Sequence, residues 1–231
     1  MCIRDSKWAE HWSYYLIKAS NELAKEKGAC KMSYQTKYAA GILPKDTYKK
    51  EVDELVNRKL SCNWDKLSDD LQEHGIRNST LMALMPSETS SQISNATNGI
   101  EPPRALVSIK QSKDGVLKQV VPGIFHLKNK YELLWDQQSP EGYLKICAVL
   151  QKYVDQGISV NTSYNPRFYD EEKIPMSTLL QDIIMFYKYG GKQLYYFNTY
   201  DGATDEVEEP AHPYVSQDEP LDDEECESCV L

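Results

Sequence analysis

No apolar run in this chain approaches the roughly 20 residues that a membrane-spanning helix needs, so the helical membrane proteins drop out at once. The opening, MCIRDSKWAEHW, is polar and has no apolar h-region of a secretory signal. A cytoplasmic protein is therefore expected, with the sequons at Asn78 and Asn161 left unglycosylated. Phenylalanine is scarce, 4 residues against 16 tyrosines, so rings in this protein mostly carry hydroxyls. A basic surplus is missing too. The net charge is −9, and residues 201–231 hold 12 acids and no Lys or Arg, which leaves 23 acids against 26 bases in residues 1–200. A near-neutral body with an anionic end offers no basic face for nucleic acid. The four histidines (His11, His74, His126 and His212) have no partner at catalytic spacing. GGK at 190–192 lacks the spacing of a P-loop, and neither a nucleophile elbow nor H-E-x-x-H occurs.

What is present is ordinary in amount: 231 residues, 41% hydrophobic and 26% charged, enough for a sizeable core. Trp8, Trp12, Tyr15, Leu16, Ala19 and Leu23 recur at three- and four-residue steps and predict an amphipathic helix over 7–28, stopped by Gly28. Shorter helices are expected around 33–40, 46–57 and 63–74, the last closed by Gly75. STLMALMP, 79–86, has strand length, and the polar stretch after it suits a short helix ending at Gly99. VSIKQSKDGVLKQVVP reads as a hairpin turning through Asp114-Gly115. Ser139 and Pro140 open a helix over 139–157, ahead of the strand ISVNTSY, the helix MSTLLQDIIMFYKYG and the strand KQLYYFNT. Helices alternating with short apolar strands predict an α/β fold. Residues 1–6 read as a non-native leader, 7–202 as the folded body and 203–231 as a flexible acidic tail.

Three places could carry chemistry. In MPSETSSQ, 85–92, a strand running into a helix would present backbone N–H groups and the positive end of the dipole to an anion such as phosphate. Ser87, Thr89, Ser90 and Ser91 add hydroxyl donors there, Pro86 leads in, and Glu88 is the discordant charge. A capped helix without a ligand explains the same residues. The pair Tyr195-Tyr196 is the second place, since neighbouring strand residues point to opposite faces and packing alone does not call for two rings in a row. Structural tyrosines remain the plain alternative. The third is Cys226 and Cys229 in DDEECESCVL, a dithiol fit for exchange. Zinc would want four ligands, and this segment offers two thiols and a distant His212. A segment without a role is the other option. Cys2, Cys30, Cys62 and Cys147 are scattered singly and read as reduced structural thiols.

Taken together, NSTLMALMPSETSSQISNATNGIEPPR (78–104), SVNTSYNP (159–166), LYYFNTYDGA (194–203) and the terminal CESC resemble the C-terminal part of the class I ribonucleotide reductase large subunit. ASNELAKEKGAC and KYAAGILPKDTYKKEVD fit the same family, in its bacterial and phage-like branch. The resemblance implies the last part of a ten-stranded α/β barrel. It implies that Pro86, Ser87, Glu88, Thr89, Ser90 and Ser91 hold the diphosphate of a ribonucleoside diphosphate substrate. Tyr195 and Tyr196 would relay an oxidising equivalent from the di-metal/radical centre of a small subunit to a cysteine that becomes a thiyl radical. Cys226 and Cys229 would re-reduce the active-site disulfide and be recharged by thioredoxin or glutaredoxin. The segment itself is expected to bind no cofactor. The radical cysteine would come from the N-terminal remainder of the large subunit, so the chain alone should not turn over. A non-catalytic module that docks to reductase partners and a small dithiol carrier acting through its C-x-x-C are the rival readings.

Overall fold

The computed structural model describes residues 2–87, 90–112 and 115–202. Its elements in chain order are α1 (Cys2–Lys27), α2 (Trp64–His74), α3 (Ser90–Ile93), the strands β1 (Val107–Ser112) and β2 (Gly115–Val120), then α4 (Ile124–Leu127), α5 (Glu141–Gln151), β3 (Val160–Tyr164), α6 (Met176–Lys188) and β4 (Leu194–Thr199). Between α1 and α2 the chain makes four short 3₁₀ turns where longer helices are expected from sequence. β1 and β2 pair antiparallel with Ser112 opposite Gly115, so Gly115 begins the second strand rather than sitting in the turn. α5 ends at Gln151, six residues short of the sequence expectation, and Ser139 Oγ accepts the Glu141 N–H at its start (3.1 Å).

The organising feature is a run of parallel extended segments. Leu84 bridges Ile158 in parallel, and β3 pairs with β4 in parallel. Parallel neighbours need a crossover connection, here supplied by α5 on the way to β3 and by α6 between β3 and β4. Leu144, Cys147, Ala148 and Val149 of α5 are buried against Ile17 of α1, Leu67 and Leu71 of α2, Met82, Ile158, Val160 and Phe186 of α6. Asp155 ties this core to the segment before the serine-rich corner by accepting from the Leu81 and Met82 N–H groups (2.9 and 3.0 Å) and from the Tyr38 hydroxyl (2.9 Å). At Gly191 a Cβ would lie 2.3 Å from the Phe186 ring, so only glycine lets β4 start this close to α6.

α1 is a helix, as its periodicity predicts, but its orientation is inverted. Trp8 is 74% exposed, and Trp12, Tyr15, Ala19 and Leu23 also face outward. Its buried face is Ser6, Ala9, Glu10, Ser13, Ile17, Ser20, Asn21 and Ala24. Small side chains let the helix approach α2 and α5, and Glu10, Ser20 and Asn21 bond to the chain around α2. Asn21 Nδ2 donates to the Asp70 and Gly75 carbonyls (3.0 and 2.8 Å), holding the end of α2. Glu10 accepts from the Ser61 and Cys62 N–H groups (2.7 and 2.9 Å), the Trp64 indole (3.1 Å) and Arg58 (2.5 Å). Burial alone would raise the Glu10 pKa, yet these donors outweigh it and hold the carboxyl at about 2.

Candidate functional site

The serine-rich corner follows Leu84 directly. Pro86 and Ser87 are half-buried, Ser90 is exposed at the start of the four-residue α3, and Ser91 is buried. Glu88 and Thr89 lie outside the described residues, as do Cys226 and Cys229. The Ser87 N–H donates to Asn98 Oδ1 (2.9 Å), and the Ser91 N–H donates to the Ser87 carbonyl (2.8 Å). The turn is therefore already tied by its own chain, and the Ser87 amide is engaged by a side chain rather than standing open.

The tyrosine pair owes its geometry to a break in register. Val160 pairs with Leu194 and Thr162 with Phe197, so Tyr195 and Tyr196 together oppose the single residue Asn161. Such a bulge is rare in a parallel pair, and bulges re-aim side chains. Its effect is to overturn the alternation that a regular strand would impose. The two rings sit 4.2 Å apart between centroids at 57°, and their hydroxyls are 3.5 Å apart. Both are exposed, at 54% and 57%. The neighbouring Tyr195 hydroxyl raises the Tyr196 phenol above its ordinary range. Next along β4, Phe197 stacks on Tyr164 (5.1 Å, 29°), and Tyr200 packs against Trp135 (5.3 Å).

The extra residue of a bulge leaves a ladder amide without its usual partner, and Asn161 supplies one. Its Oδ1 accepts the Tyr196 N–H (3.1 Å), while its Nδ2 donates to Glu101 Oε1 (2.5 Å). On the other side of the same carboxylate, Asn98 Nδ2 donates to Glu101 Oε2 (3.3 Å). A line of four hydrogen bonds therefore runs from the Ser87 amide through Asn98, Glu101 and Asn161 to the Tyr196 amide. It brings together the two regions that sequence reading treats as separate.

Residues 3–131 and 125–197 match the family model described as ribonucleotide reductase, barrel domain. The chain belongs to the ribonucleotide reductase family. It is 57% identical over 212 residues to the ribonucleoside-diphosphate reductase 1 subunit alpha of Salmonella typhimurium, covering 92% of this chain and 28% of that protein. Over 196 residues it is 60% identical to the subunit alpha of Haemophilus influenzae, covering 85% and 26%. The phage T4 subunit alpha is 46% identical over 202 residues, covering 86% and 27%. The chain thus spans about a quarter of the length of the curated relatives it matches.

Within this reductase segment, sequence reading misses Asn98, Glu101 and Asn161 as site residues, although all three lie in the quoted motifs. The signal available was a polar residue in the middle of a strand that packs on both faces: Asn161 is buried between Val160 and Thr162, and buried amides are uncommon unless bonded. Its sequon is accordingly inside the fold. Cys2, Cys30, Cys62 and Cys147 are free thiols. Burial pushes Cys147 up to about 12, and burial followed by the Glu10 carboxylate raises Cys62, so neither has the depressed pKa of a reactive cysteine. Among the described residues no group of three or more His, Cys, Asp or Glu is placed to hold a metal, and no helix is long and apolar enough to cross a membrane.

Proposed function

We propose that this chain is the C-terminal part of a class I ribonucleoside-diphosphate reductase large subunit, a cytoplasmic enzyme that converts ribonucleoside diphosphates to 2′-deoxyribonucleoside diphosphates. The bulge at Tyr195-Tyr196 is the observation that carries the reading, because ring contact with hydroxyls 3.5 Å apart is what a tyrosine-to-tyrosine transfer requires. The small subunit's di-metal/radical centre supplies the oxidising equivalent. One tyrosine loses an electron and a proton and recovers both from the second, which in turn oxidises a cysteine of the N-terminal remainder to the thiyl that abstracts a ribose hydrogen. Pro86, Ser87, Glu88, Thr89, Ser90 and Ser91 hold the substrate diphosphate at the corner beside this strand. Cys226 and Cys229 return electrons to the active-site disulfide and take them from thioredoxin or glutaredoxin.

The parallel segments through Leu84, β3 and β4 are the last part of the ten-stranded barrel in this reading. The outward rings of α1, the exposed Leu180, Ile183, Ile184 and Tyr187 of α6, and the open side of β4 are faces for the remainder of the large subunit to cover. The test is Tyr196→Phe in the chain assembled with the N-terminal remainder and the small subunit. Phenylalanine keeps the ring contact and removes the transferable proton, so turnover is expected to be abolished with folding intact. Turnover retained by that variant overturns the relay.

A further inference from the structure

The hydrogen-bond line between Ser87 and Tyr196 crosses one buried carboxylate. We propose that Glu101 is a positioning residue that sets the serine-rich corner and the tyrosine pair in register with each other, a role that rests on the reductase reading of those two places. Both Glu101 and Asn161 are buried. The Tyr143 phenol on α5 is raised first by burial and then by the nearby Cys147 sulfur and the Glu101 carboxylate, which sets α5 beside the same carboxylate.

The donors and acceptors along this line have a single consistent assignment. The Ser87 and Tyr196 amides can only donate, so Asn98 and Asn161 must turn their oxygens toward them and their Nδ2 groups toward Glu101. Both Nδ2 groups donate, so both carboxyl oxygens accept, an arrangement that the ionised form of Glu101, an acceptor at each oxygen, meets directly. Turning either asparagine over would break its bond at both ends. A shift of the corner at Ser87 is therefore transmitted to the strand at Tyr196 through groups that have no second arrangement of equal hydrogen bonding, and the rings of the relay follow their backbone.

Glutamine at 101 breaks this logic without changing shape. Its Oε1 still accepts from one asparagine, but its Nε2 faces a second donor, so one asparagine turns over and releases its backbone amide. Pairing Glu101→Gln with Asn161→Asp restores every bond with the charge moved one residue along: Asn98 donates to the new amide oxygen, the new Nε2 donates to the aspartate, and the aspartate accepts the Tyr196 N–H. Net charge and atom positions are preserved.

The experiment measures amide hydrogen exchange in the full chain at Ser87, at Tyr196 and, as a folding control, at Leu71 of α2, which the line does not touch. Glu101→Gln is expected to speed exchange at Ser87 or Tyr196 by about tenfold, the loss of one part-buried hydrogen bond, with Leu71 unchanged. The double variant Glu101→Gln/Asn161→Asp is expected to restore wild-type rates. Unchanged rates in the single variant, or no restoration in the double, overturn the proposal; loss of protection at Leu71 in the single variant is read through the double, whose recovery of all three amides supports it and whose failure overturns it. With the N-terminal remainder and small subunit present, the single variant should raise KM for ribonucleoside diphosphate and lower kcat together, and the double should recover both. If the wild-type assembly itself does not turn over, the reductase reading falls, while the exchange rates still decide the coupling.

Discussion

β3 and β4 lie side by side in one parallel pair, yet each contradicts its own hydropathy. β3, Val-Asn-Thr-Ser-Tyr, is largely polar and almost wholly buried; β4, Leu-Tyr-Tyr-Phe-Asn-Thr, is aromatic and almost wholly exposed. The two faces of α1 repeat the contrast, with serines, Asn21 and Glu10 inside and tryptophans outside. A polar group goes inside without penalty only when it is hydrogen-bonded; Ser6, Glu10, Ser20 and Asn21 each meet a specific partner, whereas the buried Ser13 hydroxyl meets none among the described residues. Of the outward apolar residues, Phe197 still stacks on Tyr164 and Tyr195 lies against Tyr196, while Trp8 and Ile184 stand mostly in solvent. The inward side is organised largely by bonding, and the outward side is left as exposed apolar surface.

The sharpest break of that comparison is Glu10. Glu10→Ala strips the acceptor from Arg58, the Trp64 indole and two backbone amides, and a cost of about 3–5 kcal/mol is expected, as for one partner removed from a buried ion pair. Urea denaturation measures it, and a loss below about 1 kcal/mol would mean that the inward polar face is incidental. The pH dependence has a definite sign. Because the folded carboxyl titrates at about 2 against its ordinary 4.5, the unfolded chain binds the proton more readily, so this stabilisation is complete above about 4.5 and is lost as pH falls toward 2. Glu10→Gln should flatten that part of the stability profile.

What the sequence discloses follows the same division. Element types along the second half are legible because their patterns agree with local chemistry: β3, α6 and β4 stand where periodicity predicts them, and the hairpin and α5 are present with shifted bounds. The orientation of α1 is not, because an apolar stripe says which residues share a face and not whether the neighbour they meet belongs to the same segment. Residues 79–86, which read as a strand, pair only through the lone bridge at Leu84 among the described residues. At the site, the tyrosine pair and the serine-rich corner are legible as motifs, whereas the bulge that makes the pair touch depends on Asn161, 60 residues from Glu101 along the chain and joined to it only by folding.

Asn161→Val tests whether β3 merely wants bulk. If hydropathy governed, the substitution would stabilise a buried strand position. We expect a loss of about 1–3 kcal/mol instead, since the Tyr196 amide and the Glu101 carboxylate each lose a partner inside the fold. Denaturation gives the magnitude, and stabilisation by valine would contradict the account of β3.

The smallest effect is expected on the outward side, and its smallness is the point. Ile184 of α6 is 64% exposed and lies on a face with Leu180 and Tyr187. A lysine there meets solvent rather than core, so Ile184→Lys should leave the unfolding free energy within about 0.5 kcal/mol of wild type. Its effect should appear in association: an apolar face uncovered in this segment promotes contact between copies, and sedimentation of the variant should shift toward the monomer. A stability loss above about 1 kcal/mol would mean that α6 packs through this face within the segment itself, and the contrast between a bonded inside and a waiting outside would fail at the helix that joins β3 to β4.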